Sequence, residues 1–490
     1  MSPAAARISA GKGQCPPLFR KFDAHLRRPI QRLDNTLRKL VPQSHGVAGL
    51  LATGRRSATL VSSEAYRRDG TMQNNIRFDL SDYLIHFFRD VDQLSPEDIL
   101  FPEHARFNNI AESHVLDSLF LMRCALRHHR IFATWSFRGG RPTIYGQSPA
   151  VCFTDMPLAA FVQTSNERLA RGENIGRYAF MIPKAALFGM GARPVIYGLS
   201  EDARERQDTH PFRVLETDLL PLGEQYRYVA YSIGDDRTID WTHEREWRWP
   251  YRGGQSHFDP DEDGDLVETL EEIPGLDFGS TTISGMGVLV QDREDVPKIV
   301  HDILTLVDAG IIHRSMFQFV IPLCDIEQHG NIQDPGRASD LINEHSIDLT
   351  PYFSIPENGV EEINANVDRI IEAHFATGKH VERDRDDGFG KSWVWIPDND
   401  SVLVRALIAA DRIIVSTEGR YLLDLAEFDS FPVGFEEHYC KKVAQALATE
   451  FGVNASYFTV RGSLSCDGIP FYAKFHDDDH PFYNATKAYE

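Results

Sequence analysis

Hydrophobic positions in this chain change period several times, and each change marks an element. Tyr83-Leu84-Ile85-His86-Phe87-Phe88 is a short apolar run of strand-forming side chains, which predicts a buried strand with one polar member, His86. Val115, Leu116, Leu119, Phe120, Met122 and Leu126 recur at helical spacing, predicting a helix within 110–130 that ends on Arg127-His128-His129-Arg130. Gly139 to Gly146 carries three glycines and a proline and reads as a loop able to approach a ligand closely. It feeds a predicted strand at Ala150–Thr154, after which Asp155 is placed to cap a helix with Pro157 in its first turn. Arg177–Ile182 and Pro194–Tyr197 read as further strands, with a short helix at 184–188 between them.

The densest stretch is Trp241-Thr242-His243-Glu244-Arg245-Glu246-Trp247-Arg248-Trp249-Pro250, with three indoles, two acids and two arginines. Read as one strand, it puts Glu244, Glu246 and Arg248 on one face and Arg245, Trp247 and Trp249 on the other. The two carboxylates would then lie roughly 6–7 Å apart, a spacing at which one acid can hold a substrate hydroxyl while the other steers a nucleophile. The structural alternative is an edge strand with surface ion pairs and tryptophans laid on the core.

Beyond a linker at 253–264, a strand at Ile283–Val290, a helix at Asp295–Ala309 and a strand at Phe317–Ile321 form a βαβ pattern, which predicts a small parallel sheet within 275–350. Val360–Ala376 reads as a connecting helix. Residues 385–490 read as a C-terminal α+β domain, with strands at 393–396, 412–415 and 421–425, a helix at 403–410 and a long amphipathic helix at 435–451.

Length and charge refine this picture. A chain of 490 residues suggests two to four domains. The net charge of −21 is uneven: residues 1–70 hold 13 Lys and Arg against 4 Asp and Glu, a net of +9, which leaves −30 on the remainder. Residues 1–75 therefore read as a basic leader, with a possible amphipathic helix over 19–40, or as sequence upstream of a true start at Met72. The acidic body disfavours nucleic acid outside a local basic groove. Six scattered cysteines without a C-x-x-C pair point to a reducing, cytoplasmic setting and away from a cysteine zinc site. No apolar run is long enough to predict a membrane span.

Residues 81–250 resemble abortive-infection (AbiGi-type) phage-resistance proteins. The resemblance is carried by Leu84-Ile85-His86-Phe87, by Val151 to Leu158, by Gly176-Arg177-Tyr178-Ala179-Phe180, by Gly191 to Tyr197, and by Glu244-Arg245-Glu246-Trp247-Arg248. More distantly, the module at 76–256 is similar to the ADP-ribosyltransferase fold. That resemblance implies an α+β protein: an ADP-ribosyltransferase-like mixed β module followed by one or two smaller α/β domains. It implies NAD as co-substrate, with His86 on the adenosine ribose, Glu246 on the nicotinamide ribose, Glu244 orienting the acceptor, and Tyr145, or Thr154 as the polar alternative, against the nicotinamide. Arg248 would keep Glu246 ionised, and a fixed carboxylate would stabilise the cation that develops as the glycosidic bond breaks. The acceptor would be a protein or nucleic acid.

Two other readings stand beside this one. The chain could be a non-catalytic antitoxin or sensor module with a toxin or trigger as partner. Arg123 and His128 also have the spacing of a helical ribonuclease pair. Weaker motifs read as ordinary surface. Asp259, Asp261 and Asp263 begin a calcium-loop pattern whose twelfth position is Leu270 rather than Glu271. Gly388-Phe389-Gly390-Lys391-Ser392 ends like a phosphate loop but has Arg385 where a glycine belongs. Gly285-Met286-Gly287 lacks the third glycine of a dinucleotide turn, and the His476 to His480 run is a hydrophilic loop. No metal is expected.

Overall fold

A computed structural model describes residues 81–92, 115–138, 141–173, 175–207, 209, 212–234, 238–253, 257–260, 266–269, 274–327, 340, 342–378, 388–425 and 432–470. The basic leader, Met72, the Gly139-Gly140 pair, most of the calcium-loop pattern and the His476–His480 run lie outside these residues.

Among the described residues the chain is a mixed α+β protein whose two main sheets, one of eight strands and one of four, stand beside five two-stranded ladders. The larger has eight strands, in the order Ile347–Asp348, Phe317–Pro322, Met286–Val290, Tyr178–Pro183, Tyr83–Phe88, Ala150–Thr154, Glu246–Pro250, Arg193–Pro194. Within this sheet, among the described residues, only the Met286 and Phe317 strands run parallel, as their crossover through helix Val296–Asp308 requires. The βαβ unit expected as a separate small sheet is therefore part of the main one: Val288 pairs with Phe180, extending the sheet sideways.

Strand alternation gives this sheet two buried faces. Leu84, Phe88, Val151, Phe153, Phe180, Ile182 and Val288 point to one side and share a core with Leu121 and Met122 of helix Ser118–Arg127 and with Ile299 and Ile303 of helix Val296–Asp308. Fully buried side chains of this kind contribute about 1.5–3 kcal/mol each. The opposite face meets helix Leu158–Ala170, where Phe161 packs 5.9 Å from Phe87, ring to ring.

Between the two helices on the first side lies a buried charge cluster. Arg123 donates to Asp302 at 2.7 and 3.1 Å, and Arg127 reaches the same carboxylate at 3.1 Å. Burial alone would raise the Asp302 pKa, but the two guanidinium charges hold it far below the usual carboxylate range.

Two glycines permit close approaches. A Cβ on Gly176 would sit 1.2 Å from the Phe88 carbonyl oxygen, so only glycine lets the chain cross the end of that strand. A Cβ on Gly287 would meet the Phe319 ring at 2.0 Å. Gly287 is a packing position inside a strand rather than part of a phosphate turn.

The second sheet runs Ile413–Val415, Tyr421–Leu423, Gly390–Trp395, Ser456–Arg461. Val394, Leu423 and Tyr421 face helices Glu357–Gly378, Val402–Ala409 and Val433–Phe451 in one cluster. Trp393, Trp395, Leu422, Phe458 and Val460 form the other face. Gly390 begins a strand here, and Ser392 is buried with its Oγ 2.8 Å from Thr459 Oγ1, so the 388–392 stretch is not a phosphate loop.

The two sheets meet through polar groups on helix Val296–Asp308. Asn399 Nδ2 donates to the His301 carbonyl at 2.9 Å, to Thr305 at 3.2 Å and to the Tyr421 hydroxyl at 3.0 Å. Arg405 pairs with Asp308, which also accepts from Tyr421 at 2.8 Å. The described residues, from Ser81 to Pro470, fall in one compact unit.

Candidate functional site

The Trp241–Pro250 stretch is not one strand. Thr242–Glu244 forms a 3-10 turn, Arg245 takes a left-handed conformation at φ 47°, and the strand starts at Glu246. The left-handed residue breaks the alternation assumed for the sequence, so Glu244 does not share a strand face with Glu246. Its carboxylate instead takes an ion pair from Arg168 Nη1 at 2.8 Å, and its carbonyl accepts from Thr154 Oγ1 at 2.6 Å.

Glu246 and Arg248 are neighbours on the strand, as the sequence implied. Arg248 Nε donates to Oε1 at 2.7 Å and Nη2 to Oε2 at 3.2 Å, forming a two-pronged pair. Arg248 Nη1 also donates to the carbonyls of Tyr226 at 2.7 Å and Tyr228 at 3.2 Å. Its guanidinium is buried, while Glu246 keeps about a fifth of its side-chain surface. Cys152 lies opposite Arg248 in the ladder, and burial first, then the Glu246 charge, pushes its thiol up to about 12. A thiol so placed stays protonated and is a poor nucleophile.

His86 lies on the other side of the sheet. Ile85 pairs with Thr154, and Thr154 pairs with Glu246, so Ile85 shares the Glu246 face and His86 points away from it. Its ring packs 4.9 Å from Phe88 and 5.8 Å from Phe153, both core residues. Nδ1 lies 2.8 Å from the Cys152 carbonyl and bridges the point where the two strands separate. Burial, aided by the charge of Arg89 and opposed by that hydrogen bond, lowers its pKa to about 4. His86 is therefore neutral near pH 7, with Nδ1 donating.

Tyr145 reaches this region only indirectly. Its ring makes an edge contact with Tyr228 at 5.0 Å, lies under the Arg213 guanidinium at 4.1 Å, and its hydroxyl donates to Glu205 at 3.4 Å. Burial pushes its pKa up to about 12, against the pull of Arg213. Thr154 is buried and accepts from the Met156 N–H at 3.2 Å, so its hydroxyl serves the turn leaving its strand. Asp155 does not cap the next helix, which begins at Leu158 with Pro157 as a cap that offers no side-chain bond. Asp155 pairs with Lys184 at 2.6 Å, beside Arg245 at 3.9 Å.

The six residues singled out from the sequence thus divide. Glu246 and Arg248 are brought together, Thr154 and Glu244 meet at a turn beside them, Tyr145 stands a layer further out, and His86 occupies the opposite face. Of the ribonuclease pair, Arg123 is committed to Asp302, and His128 falls just past the end of its helix.

What sequence reasoning missed is a groove of about 550 Å³ between the end of helix Leu158–Ala170 and the 238–243 segment. Arg168, Arg171, Glu173, Asp240, Trp241 and His243 are among its lining residues. Arg168 ties its two walls, bonding Glu173 at 2.7 Å on one and Glu244 on the other. The indole of Trp241 was conspicuous in sequence, but nothing in the pattern linked it to Arg168 some seventy positions earlier. Among the described residues, no group of three or more His, Cys, Asp or Glu is arranged to hold a metal ion, and no helix is long and apolar enough to cross a membrane.

Comparison with curated proteins and with solved structures gave no match. None of the groups described above, from His86 to Arg248, falls within the stretch that a known family does cover: residues 357–485 are similar to the family described as Protein of unknown function (DUF4427).

Proposed function

We propose that this chain is a binding module, the non-catalytic member of the readings drawn from the sequence, rather than an NAD-dependent transferase. One observation carries the reading. The Glu246 carboxylate has both oxygens engaged by Arg248, whose Nη1 donates to the Tyr226 and Tyr228 carbonyls. A carboxylate that stabilises a developing sugar cation must aim at the substrate. This one is aimed along its own strand, and the histidine expected to hold the same dinucleotide lies across the sheet. The pair supports a structural role, fixing the strand beneath the Tyr226–Tyr228 segment. The defence setting, with a toxin or trigger as partner, rests on the resemblance of residues 81–250 alone.

The deciding experiment incubates the purified chain with labelled NAD and lysate, alongside melting curves with and without NAD. Absence of label transfer together with an unchanged melting temperature supports a binding module. Transfer that disappears in Glu246→Ala but persists in His128→Ala overturns it in favour of a transferase. RNA cleavage without NAD that is lost in His128→Ala would favour the ribonuclease reading instead.

A further inference from the structure

We infer that the tryptophan face of the C-terminal sheet is the docking site of the chain's own last residues, 471–490. The inference goes beyond the binding-module reading and stands without it. The sheet is made of two interleaved β-α-β units: Gly390–Trp395 and Ile413–Val415 flank helix Val402–Ala409, and Tyr421–Leu423 and Ser456–Arg461 flank helix Val433–Phe451. Every neighbouring pair is antiparallel. Right-handed crossovers place both helices on one face, where Val394 and Leu423 meet them. The opposite face carries Trp393, Trp395, Leu422, Phe458 and Val460, which left to water would be a large apolar patch. Yet all five are buried, and Trp393 keeps only 2% of its surface. Among the described residues, Cys466 is the one partly buried apolar side chain packed against them. A single cysteine does not cover two indoles. The Trp393 Nε1–H is also buried, with no hydrogen-bond partner among the described residues. Burying a donor unpaired is costly, so the cover has to bring an acceptor as well as apolar surface.

The chain is already on this face where the described residues end. A Cβ on Gly468 would lie 2.5 Å from Val460 Cγ1, so the backbone there rests against the face itself. Asp467 accepts from the Thr417 N–H and from the Thr417 hydroxyl, both at 2.8 Å, which ties the departing chain to the turn before Tyr421–Leu423. Pro470, the last described residue, is buried. The twenty residues beyond it include Phe471, Tyr472, Phe475, Phe482 and Tyr483. An extended backbone would put Phe471, Ala473 and Phe475 on one side, a period suited to a flat apolar face, and would offer carbonyl acceptors beside the indole N–H. The family resemblance runs to residue 485, past Pro470, so this segment belongs to the same sequence unit as the sheet. A tethered segment is also present at about millimolar effective concentration, an advantage that a separate partner lacks.

The test puts a photo-crosslinking side chain into the full chain, Phe475→p-benzoylphenylalanine, and maps the products by mass spectrometry. Crosslinks within one chain to 393–395, 422 or 458–460 are expected. Crosslinks to other parts of the chain, crosslinks between two copies, or none at all overturn the inference. A second measurement uses the full chain with Phe471→Ser and Phe475→Ser and a labelled peptide of residues 471–485, followed by fluorescence anisotropy. The variant, with its face released, is expected to bind the peptide about tenfold more tightly than the parent, whose tethered segment competes. A peptide of the same composition in scrambled order should bind neither. Equal binding by parent and variant, or no binding by a variant that still melts cooperatively, overturns the inference as well. Should the double variant fail to fold, the crosslinking decides alone.

Discussion

Arg248 holds Glu246 through two parallel hydrogen bonds, two positions apart on one strand face, and ties the pair to the Tyr226 and Tyr228 carbonyls. Removing either partner leaves a charge without its counter-ion. Arg248→Met is expected to destabilise the protein by about 3–5 kcal/mol, the cost of breaking a buried pair. Glu246→Gln should cost less, about 1–3 kcal/mol, because its carboxylate keeps some contact with water. The double variant Glu246→Gln, Arg248→Met should cost less than the sum of the two single ones. Urea unfolding of the four proteins measures the coupling. A sum that adds without coupling would mean the pair is not a unit.

His86 predicts a pH dependence. In the unfolded chain its pKa is near 6.5; in the folded protein burial brings it to about 4. Between those values the unfolded state binds more protons, so stability falls as pH drops through that window and levels off below it. The loss attributable to this residue is at most about 3 kcal/mol. His86→Asn keeps a donor for the Cys152 carbonyl and removes the titration. Its stability between pH 6.5 and 4 should therefore be flatter than that of the parent, as read from melting temperature against pH.

Arg245 is the hinge between the 3-10 turn and the strand. A left-handed non-glycine residue carries a cost of roughly 1–2 kcal/mol, relieved by glycine and worsened by β-branching. Arg245→Gly should therefore be the milder change, since it relieves the backbone while giving up side-chain contacts such as the one with Asp155 at 3.9 Å. Arg245→Val should destabilise by about 1–2 kcal/mol. Thermal melts should place Arg245→Val clearly below Arg245→Gly.

Much of this architecture was legible in the chain. The Tyr83–Phe88, Ala150–Thr154, Tyr178–Pro183 and Phe317–Pro322 strands follow from runs of apolar, strand-forming residues, and helix Val433–Phe451 from its period. The pairing of strands was not legible. Nothing local tells Met286–Val290 to join Tyr178–Pro183, since that ladder depends on which apolar faces must be covered together. The expected placement of Glu244 and Glu246 on one strand face is lost at one backbone residue. Arg245 has no sequence mark of left-handedness, as a glycine or asparagine would give, and without it Glu244 is counted onto the wrong face. His86 was found correctly on its strand, but its face relative to Glu246 depends on the register with Thr154.

The polar joint between the sheets gives another expectation. Asn399→Leu or Arg405→Met removes partners of Thr305 and Asp308 at a buried contact. Each should destabilise by about 2–4 kcal/mol. The C-terminal sheet should then open ahead of the rest, seen as earlier hydrogen exchange at 390–395 and 456–461. A loss shared evenly by every element would show that this contact does not set the order of opening.

That same joint bears on how the protein is made. Helix Val296–Asp308 completes the first sheet's parallel crossover, yet Asn399, Arg405 and Tyr421, which bond its inner polar atoms, emerge from the ribosome about a hundred residues later. At the usual pace of synthesis that interval is roughly 5–20 s. During it Asp308 and Thr305 must remain hydrated, so the nascent helix has reason to stay loosely docked until the C-terminal segment arrives, and a ribosome that stalls before Tyr421 would release an intermediate open along this seam.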